Sequence, residues 1–212
     1  MNMEMSPKFE KELINNVIES LYASGVFTED DIKDKESYIS GLKRIIDNGI
    51  VDGITIVTDH TESLTLKARE CQKAKEFDYA RIFYATFFEH KVNDLISLYC
   101  IRNGIDLKTQ ISIIKSVNIL GKFTWLLELM KYPKFNKKHL STILKLADSR
   151  NSFVHYKWKE DPELNNEIDW DKEKLRIDSE FENIEKTVKY FKNYCSKLKF
   201  KGKKGQIKKI VK

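Results

Sequence analysis

The chain has 212 residues, 41% hydrophobic and 11% aromatic, which suffices for one good core and favours a single domain with an extension over two domains. Its formal charge of +6 is unevenly placed: residues 196–212 hold eight lysines and no acid, and taking those eight from +6 leaves −2 on residues 1–195, so the basic character belongs to the tail and not the body. Three widely separated cysteines, Cys71, Cys100 and Cys195, form neither a disulfide framework nor a CxxC pattern, and no apolar run has signal-peptide or membrane-spanning length; a soluble cytoplasmic protein with no membrane partner is the expectation.

Ser6 followed by Pro7 reads as an N-cap with proline at the first helical position, and Phe9, Leu13, Val17, Ile18 and Leu21 recur at helical spacing until Gly25. Thr28-Glu29-Asp30-Asp31 gives a capping-box-like start to a second, broken helical region that carries Ile32, Tyr38, Ile39, Leu42, Ile45 and Ile46 to Gly49. These helices and the connector after them make residues 1–61 an N-terminal helical extension. Within that connector Ile, Val and Thr cluster around Gly53, which predicts a short strand or extended segment over residues 50–58.

Helical periodicity returns over residues 62–76 and strongly over 78–102, where Tyr79, Ile82, Phe83, Phe87, Val92, Leu95, Ile96 and Tyr99 mark an apolar side that ends at Asn103-Gly104. Asp106 reads as the cap of a helix through Ile111 and Ile114. Residues Ile119 to Met130, with Phe123, Trp125, Leu126, Leu127 and Leu129, predict one further helix that stops at Tyr132-Pro133, with Trp125 read as core. Asn136 caps the next, in which Leu140, Ile143, Leu144 and Ala147 lead onward. A loop between Trp158 and Asp171 and a final helix through Leu175, Phe181, Ile184, Val188, Phe191 and Leu198 complete an all-α bundle over residues 62–198. Residues 199–212 read as a flexible basic tail, either a solvating end or an attractor of RNA.

The segment Ser149-Arg150-Asn151-Ser152-Phe153-Val154-His155-Tyr156 places an arginine, an adjacent asparagine and a histidine within six residues. An arginine offers a phosphate a planar fork of donors and never deprotonates, whereas a histidine changes charge near neutral pH and moves protons. An Arg with a His five to seven positions later arises by chance in roughly a third of shuffled chains of this composition, but requiring Asn after the Arg lowers that to roughly two per cent. Arg102-Asn103 acts as an internal control, since no His follows it at the required distance. Asn151 and His155 are four residues apart, hence about 40° apart on a helix, while Arg150 and His155 are about 140° apart. Arg150 must therefore reach around, the helix must break, or a second subunit must complete the site.

The segment resembles the signature of the HEPN superfamily, small α-helical domains common in prokaryotic toxins and phage-defence proteins. Its motif is Arg, four to six residues, then His, with a polar residue, often Asn, after the Arg. The resemblance covers residues 62–198. Tyr79-Ala80 and Ala85 to Asn93 look like the long HEPN helix that carries a Glu and a nearby Asn, which would make Glu89 a polar support; a charged residue on a helix face is the alternative. The resemblance implies a HEPN-like helical bundle acting as a homodimer in which two motifs share one cleft. It also implies a metal-independent endoribonuclease, the toxin of a toxin-antitoxin or abortive-infection system. His155 would be general acid or base, Arg150 would hold the phosphate and Asn151 would orient His155. Attack by the RNA 2′-hydroxyl means that RNA is cut and DNA spared.

A related toxin subgroup has a Tyr two positions after the motif His, where a partner nucleotidyltransferase modifies it. Here Tyr156 is one position after and Lys157 occupies the second, which leaves a different antitoxin or control by the N-terminal helices open. No cofactor and no metal are expected: His60, His90 and His139 form no ligand triad, and His90 with Asp94, one turn on, reads as a solvated face. The alternative is a non-catalytic helical domain that binds a partner protein, nucleotide or RNA. A DNA-binding regulator fits less well, because the body is slightly acidic and no recognition helix displays a basic-polar face.

Overall fold

The computed structural model describes residues 6–49, 60–155 and 169–210, and every regular element among them is helical, as the periodicity predicts. The extended segment expected at residues 50–58, together with Tyr156, Lys157 and Trp158, lies outside the described residues. In chain order the helices are α1 (Pro7–Ser24), a 3-10 turn (Asp30–Ile32), α2 (Lys35–Asp47), α3 (Thr61–Lys73), α4 (Phe77–Arg102), α5 (Leu107–Ser116), α6 (Ile119–Phe123), α7 (Trp125–Leu129), α8 (Lys137–Val154), α9 (Trp170–Phe200) and α10 (Lys204–Ile210). Two compact units divide them. One comprises Met1–Thr58, Ser97–Leu107 and Cys195–Lys212, and the other Asp59–Ile96 and Lys108–Tyr194.

In the first unit, Ile18, Leu21 and Tyr22 of α1 form one apolar cluster with Phe27, Ile32, Ile45 of α2, Phe200 and Ile207. Burying each such side chain contributes on the order of 1.5–3 kcal/mol. Gly25, at φ +86°, ends α1 in the left-handed conformation that a Cβ disfavours. The second helical region is broken, since a 3-10 turn precedes α2, which starts at Lys35 with the Asp34 carboxylate accepting from the Ser37 N–H at 2.8 Å. Arg102 donates to the carbonyls of Ala23, Leu198 and Lys199, satisfying acceptors at the ends of α1 and α9.

The expected flexible tail is corrected over residues 204–210, which form α10. Ile207 is fully buried, and Gln206 Nε2 donates to the Ile32 carbonyl at 3.1 Å. Two isoleucines, Ile207 and Ile210, among lysines and glycines are a weak periodic signal, yet a buried Ile207 suffices once a cluster is available to receive it.

The second unit packs α4 against α9 through aromatic rings. Phe191 meets Phe123, Phe135 and Phe88 at centroid separations of 5.1, 5.5 and 5.9 Å. Arg69 binds Glu185 through two donors, and buried Tyr84 gives its hydroxyl to the same carboxylate. Arg81 pairs in the same two-pronged way with Glu180. The helix expected over Ile119 to Met130 is split at Thr124, whose backbone leaves the helical region at φ −117° and ψ −102° and whose hydroxyl donates to the Leu120 carbonyl at 2.7 Å. With that break Trp125 is 53% exposed and not in the core, a second correction. α6 nevertheless delivers Phe123 and Lys122 inward, and Lys122 bears on the site.

Candidate functional site

α8 begins at Asn136, whose side chain accepts from the Lys138 and His139 N–H groups, and runs without interruption to the Arg-His segment. Its inward face is Ile143, Leu146 and Ala147, so the sequence periodicity fixes which side of its C-terminal turns remains outward. The His155 N–H still bonds the Asn151 carbonyl at 3.1 Å, so helical geometry persists through the end of the motif. Asn151 and His155 therefore share a face, and both are exposed.

Arg150 is half-buried and turned away from that face at its root, as 100° per residue requires. Its guanidinium spans the difference: Nη1 donates to Glu89 Oε2 on α4, and Nη2 donates to Asn151 Oδ1 at 3.2 Å. The structure thus brings Arg150, Asn151 and Glu89 together. No hydrogen bond joins the His155 imidazole to another described residue.

Glu89 has a second cation. Lys122, only 2% exposed, holds its Nζ 3.4 Å from Glu89 Oε1. Burial pushes the Glu89 carboxyl upward, but the hydrogen bond and charge of Arg150, with the charge of Lys122, outweigh it and hold the group below the usual carboxylate range. The three side chains carry a net single positive charge, the sign an anionic ligand requires. Asn93, one turn beyond Glu89 on α4, has a buried Oδ1 with no hydrogen-bond partner among the described residues. Sequence reasoning missed Lys122. The signal available was a lone charge in the apolar run Ile119-Leu120-Gly121-Lys122-Phe123, which a core helix tolerates only when the charge has a partner.

No family model, curated protein or solved structure matches this chain. The site is thus defined by its own geometry. Among the described residues no group of three His, Cys, Asp or Glu side chains is placed to hold a metal ion, and His90 is exposed on α4. Nor is any described helix long and apolar enough to cross a membrane. A depression of about 520 Å³ lined by Arg69, Glu182, Glu185, Lys186 and Lys192 has much of its charge satisfied internally. Arg69 pairs with Glu185, and Lys186 with Glu182. The cluster around Arg150 differs in adjoining an exposed histidine, His155.

Proposed function

We propose that the chain is a HEPN-type endoribonuclease that cleaves RNA by attack of a 2′-hydroxyl on the adjacent phosphate, with Arg150, Asn151 and His155 as its working residues. The observation that carries this reading is the hydrogen bond from Arg150 Nη2 to Asn151 Oδ1, which connects the arginine to the helix face that also bears His155. It supports the reading against the 140° separation that a bare helix imposes, because it ties Arg150 to a side chain one helical turn from His155.

In the reaction, the 2′-oxygen forms a bond to phosphorus as its proton passes to a base, and the bond from phosphorus to the 5′-oxygen breaks as that oxygen takes a proton. The products are a 2′,3′-cyclic phosphate and a 5′-hydroxyl. His155 serves one of the two proton transfers, and a second copy of the chain supplies the other histidine in a homodimer. Arg150 stabilises the charge that builds on the phosphoryl oxygens. Glu89, itself paired with Lys122, holds the guanidinium from behind. The biological role proposed with this chemistry is that of a toxin in a toxin-antitoxin or phage-defence system, restrained by an antitoxin or regulatory protein.

A second reading, a non-catalytic helical domain that binds RNA, a nucleotide or a partner protein on this face, is favoured by one observation: two of the Arg150 nitrogens already have protein partners. One experiment separates the two readings. Purified protein is incubated with total cellular RNA and with matching DNA in EDTA, alongside Arg150→Ala and His155→Ala. The ribonuclease yields discrete RNA fragments with cyclic-phosphate ends and leaves DNA intact. Arg150→Ala lowers the rate on the order of 10²–10³-fold and His155→Ala on the order of 10²–10⁴-fold. Intact RNA with wild-type protein, under conditions where it binds RNA, selects the binding domain.

A further inference from the structure

The lysines of the C-terminal segment are held by a folded scaffold. Ile207 anchors α10 in the apolar cluster and Gln206 ties it to the Ile32 carbonyl, so the helix has a defined inner side. At 100° per residue, Lys209 stands about 160° around the helix from Ile207, and it is exposed, as are Lys197 at the end of α9 and Lys201 in the turn between the helices. Lys201 takes the left-handed conformation at φ +46°, followed by Gly202 at φ +81°, and the Lys203 N–H bonds the Phe200 carbonyl at 2.7 Å, so a tight turn joins α9 to α10.

Compensating acids are scarce here. Lys203 lies 3.5 Å from Glu29, and Lys204 places its Nζ 5.0 Å from the centre of the Phe200 ring. Among the described residues Lys197, Lys199, Lys201 and Lys209 make no ion pair. Residues 196–212 contain eight lysines and no acid, in a chain whose remainder is slightly negative. Like charges concentrated in one folded segment repel one another, and a polyanion relieves that repulsion while releasing its own counterions.

We infer that the lysine-bearing ends of α9 and α10 form a sequence-independent binding surface for the phosphate backbone of RNA, distinct from the Arg150–Asn151–His155 cluster. The choice of RNA among polyanions rests on the ribonuclease reading; the surface itself rests on the placement of the lysines. Those lysines belong to the unit that does not carry Arg150. The role assigned to this surface is retention of RNA, not the bond-breaking step. Ammonium groups without planar forks hold phosphates as point charges and carry no base readout, hence the independence of sequence.

The test uses the full chain with His155→Ala, so that RNA is not consumed, and a labelled 20-nucleotide single-stranded RNA followed by fluorescence anisotropy across a potassium chloride series. Against it stand the same protein with Lys197, Lys201 and Lys209 all changed to Gln, and with all three changed to Arg. The glutamine form should bind about tenfold or more weakly at 100 mM salt. The slope of log affinity against log salt should fall in magnitude by about 2, near 0.7 for each lysine lost. The arginine form should bind like the parent, which separates lost charge from lost fold. Equal affinity and slope in the glutamine form overturn the inference. So does binding by the parent to phosphatidylserine vesicles with no binding to RNA. If wild-type protein cuts no RNA yet these affinities behave as stated, the ribonuclease reading fails and the surface stands.

Discussion

Lys122 Nζ lies 3.4 Å from Glu89 Oε1 while Arg150 Nη1 bonds the other oxygen of that carboxylate, so one acid on α4 serves two cations from α6 and α8. The two cations differ in what they lose without it. Lys122 is buried and has no route to water, whereas Arg150 is half-buried at the end of its helix.

That asymmetry predicts unequal costs. Glu89→Gln strands a buried ammonium and should destabilise the protein by about 3 kcal/mol, the scale for breaking a buried ion pair from one side. Lys122→Met keeps the apolar stem and leaves Glu89 paired with Arg150, so its cost should be within about 1 kcal/mol. Adding Lys122→Met to Glu89→Gln should restore much of the loss. Urea unfolding of the four proteins completes the cycle; strictly additive effects would contradict the coupling.

The same carboxylate predicts a dependence on acid. Its native pKa is depressed, because the bond from Arg150 and the two nearby cations outweigh the opposing effect of burial. A carboxyl depressed on folding contributes stability that is fully present above its unfolded pKa, about 4.3, and is lost as pH falls through the native value. Stability measured from pH 6 downward should therefore decline more steeply below about pH 4.3 in the wild type than in Glu89→Gln. Parallel curves would show that Glu89 titrates alike in both states.

Gly41 of α2 predicts a case in which packing outweighs helix propensity. A Cβ there would lie 2.8 Å from Asp31 Oδ1 and 3.2 Å from Asp31 Cβ and Cγ. Asp31 is 5% exposed and cannot swing aside, since its Oδ2 accepts from the Thr28 N–H, the Thr28 hydroxyl and Arg44 Nη2 at 2.7, 2.8 and 2.9 Å. Gly41→Ala gains about 1 kcal/mol of helix propensity but meets an overpacking cost of about 1–3 kcal/mol. The expected result is a net loss of about 1 kcal/mol in urea unfolding, and a more stable variant would mean that the Asp31 contact yields.

The elements legible in the sequence are those whose signals are local. Asn136 caps α8, Gly104 at φ +65° follows the end of α4, and Pro7 opens α1, each as its residue type dictates. α10 and the break at Thr124 were not legible, because a buried Ile207 and a hydroxyl bonded to Leu120 matter only after tertiary partners exist. Within the candidate site, the shared face of Asn151 and His155 follows from a spacing of four. The ties from Arg150 to Glu89 and from Glu89 to Lys122 join residues 61 and 33 positions apart, beyond any periodic pattern. The control pair is instructive too: Arg102, followed by an asparagine like Arg150, is consumed by three backbone carbonyls.

His139 predicts a second, milder dependence on pH. Thr187 gives its single hydroxyl proton to the Asn183 carbonyl at 2.8 Å, so the contact of 2.8 Å between Thr187 Oγ1 and His139 Nδ1 requires the histidine to donate. Neutral His139 is therefore the Nδ1–H tautomer, stacked on Tyr190 at 4.2 Å. Burial and, behind it, the charge of Lys138 hold its pKa below the ordinary 6.5. A histidine depressed on folding takes up its proton more readily when unfolded. Its contribution is complete above about pH 6.5 and diminishes as pH falls from there toward the native value. Nitrogen NMR should show protonated Nδ1 and bare Nε2 at pH 7.5. The stability lost between pH 7 and 5.5 should be smaller in His139→Gln than in wild type, and an equal loss would assign the dependence to another group.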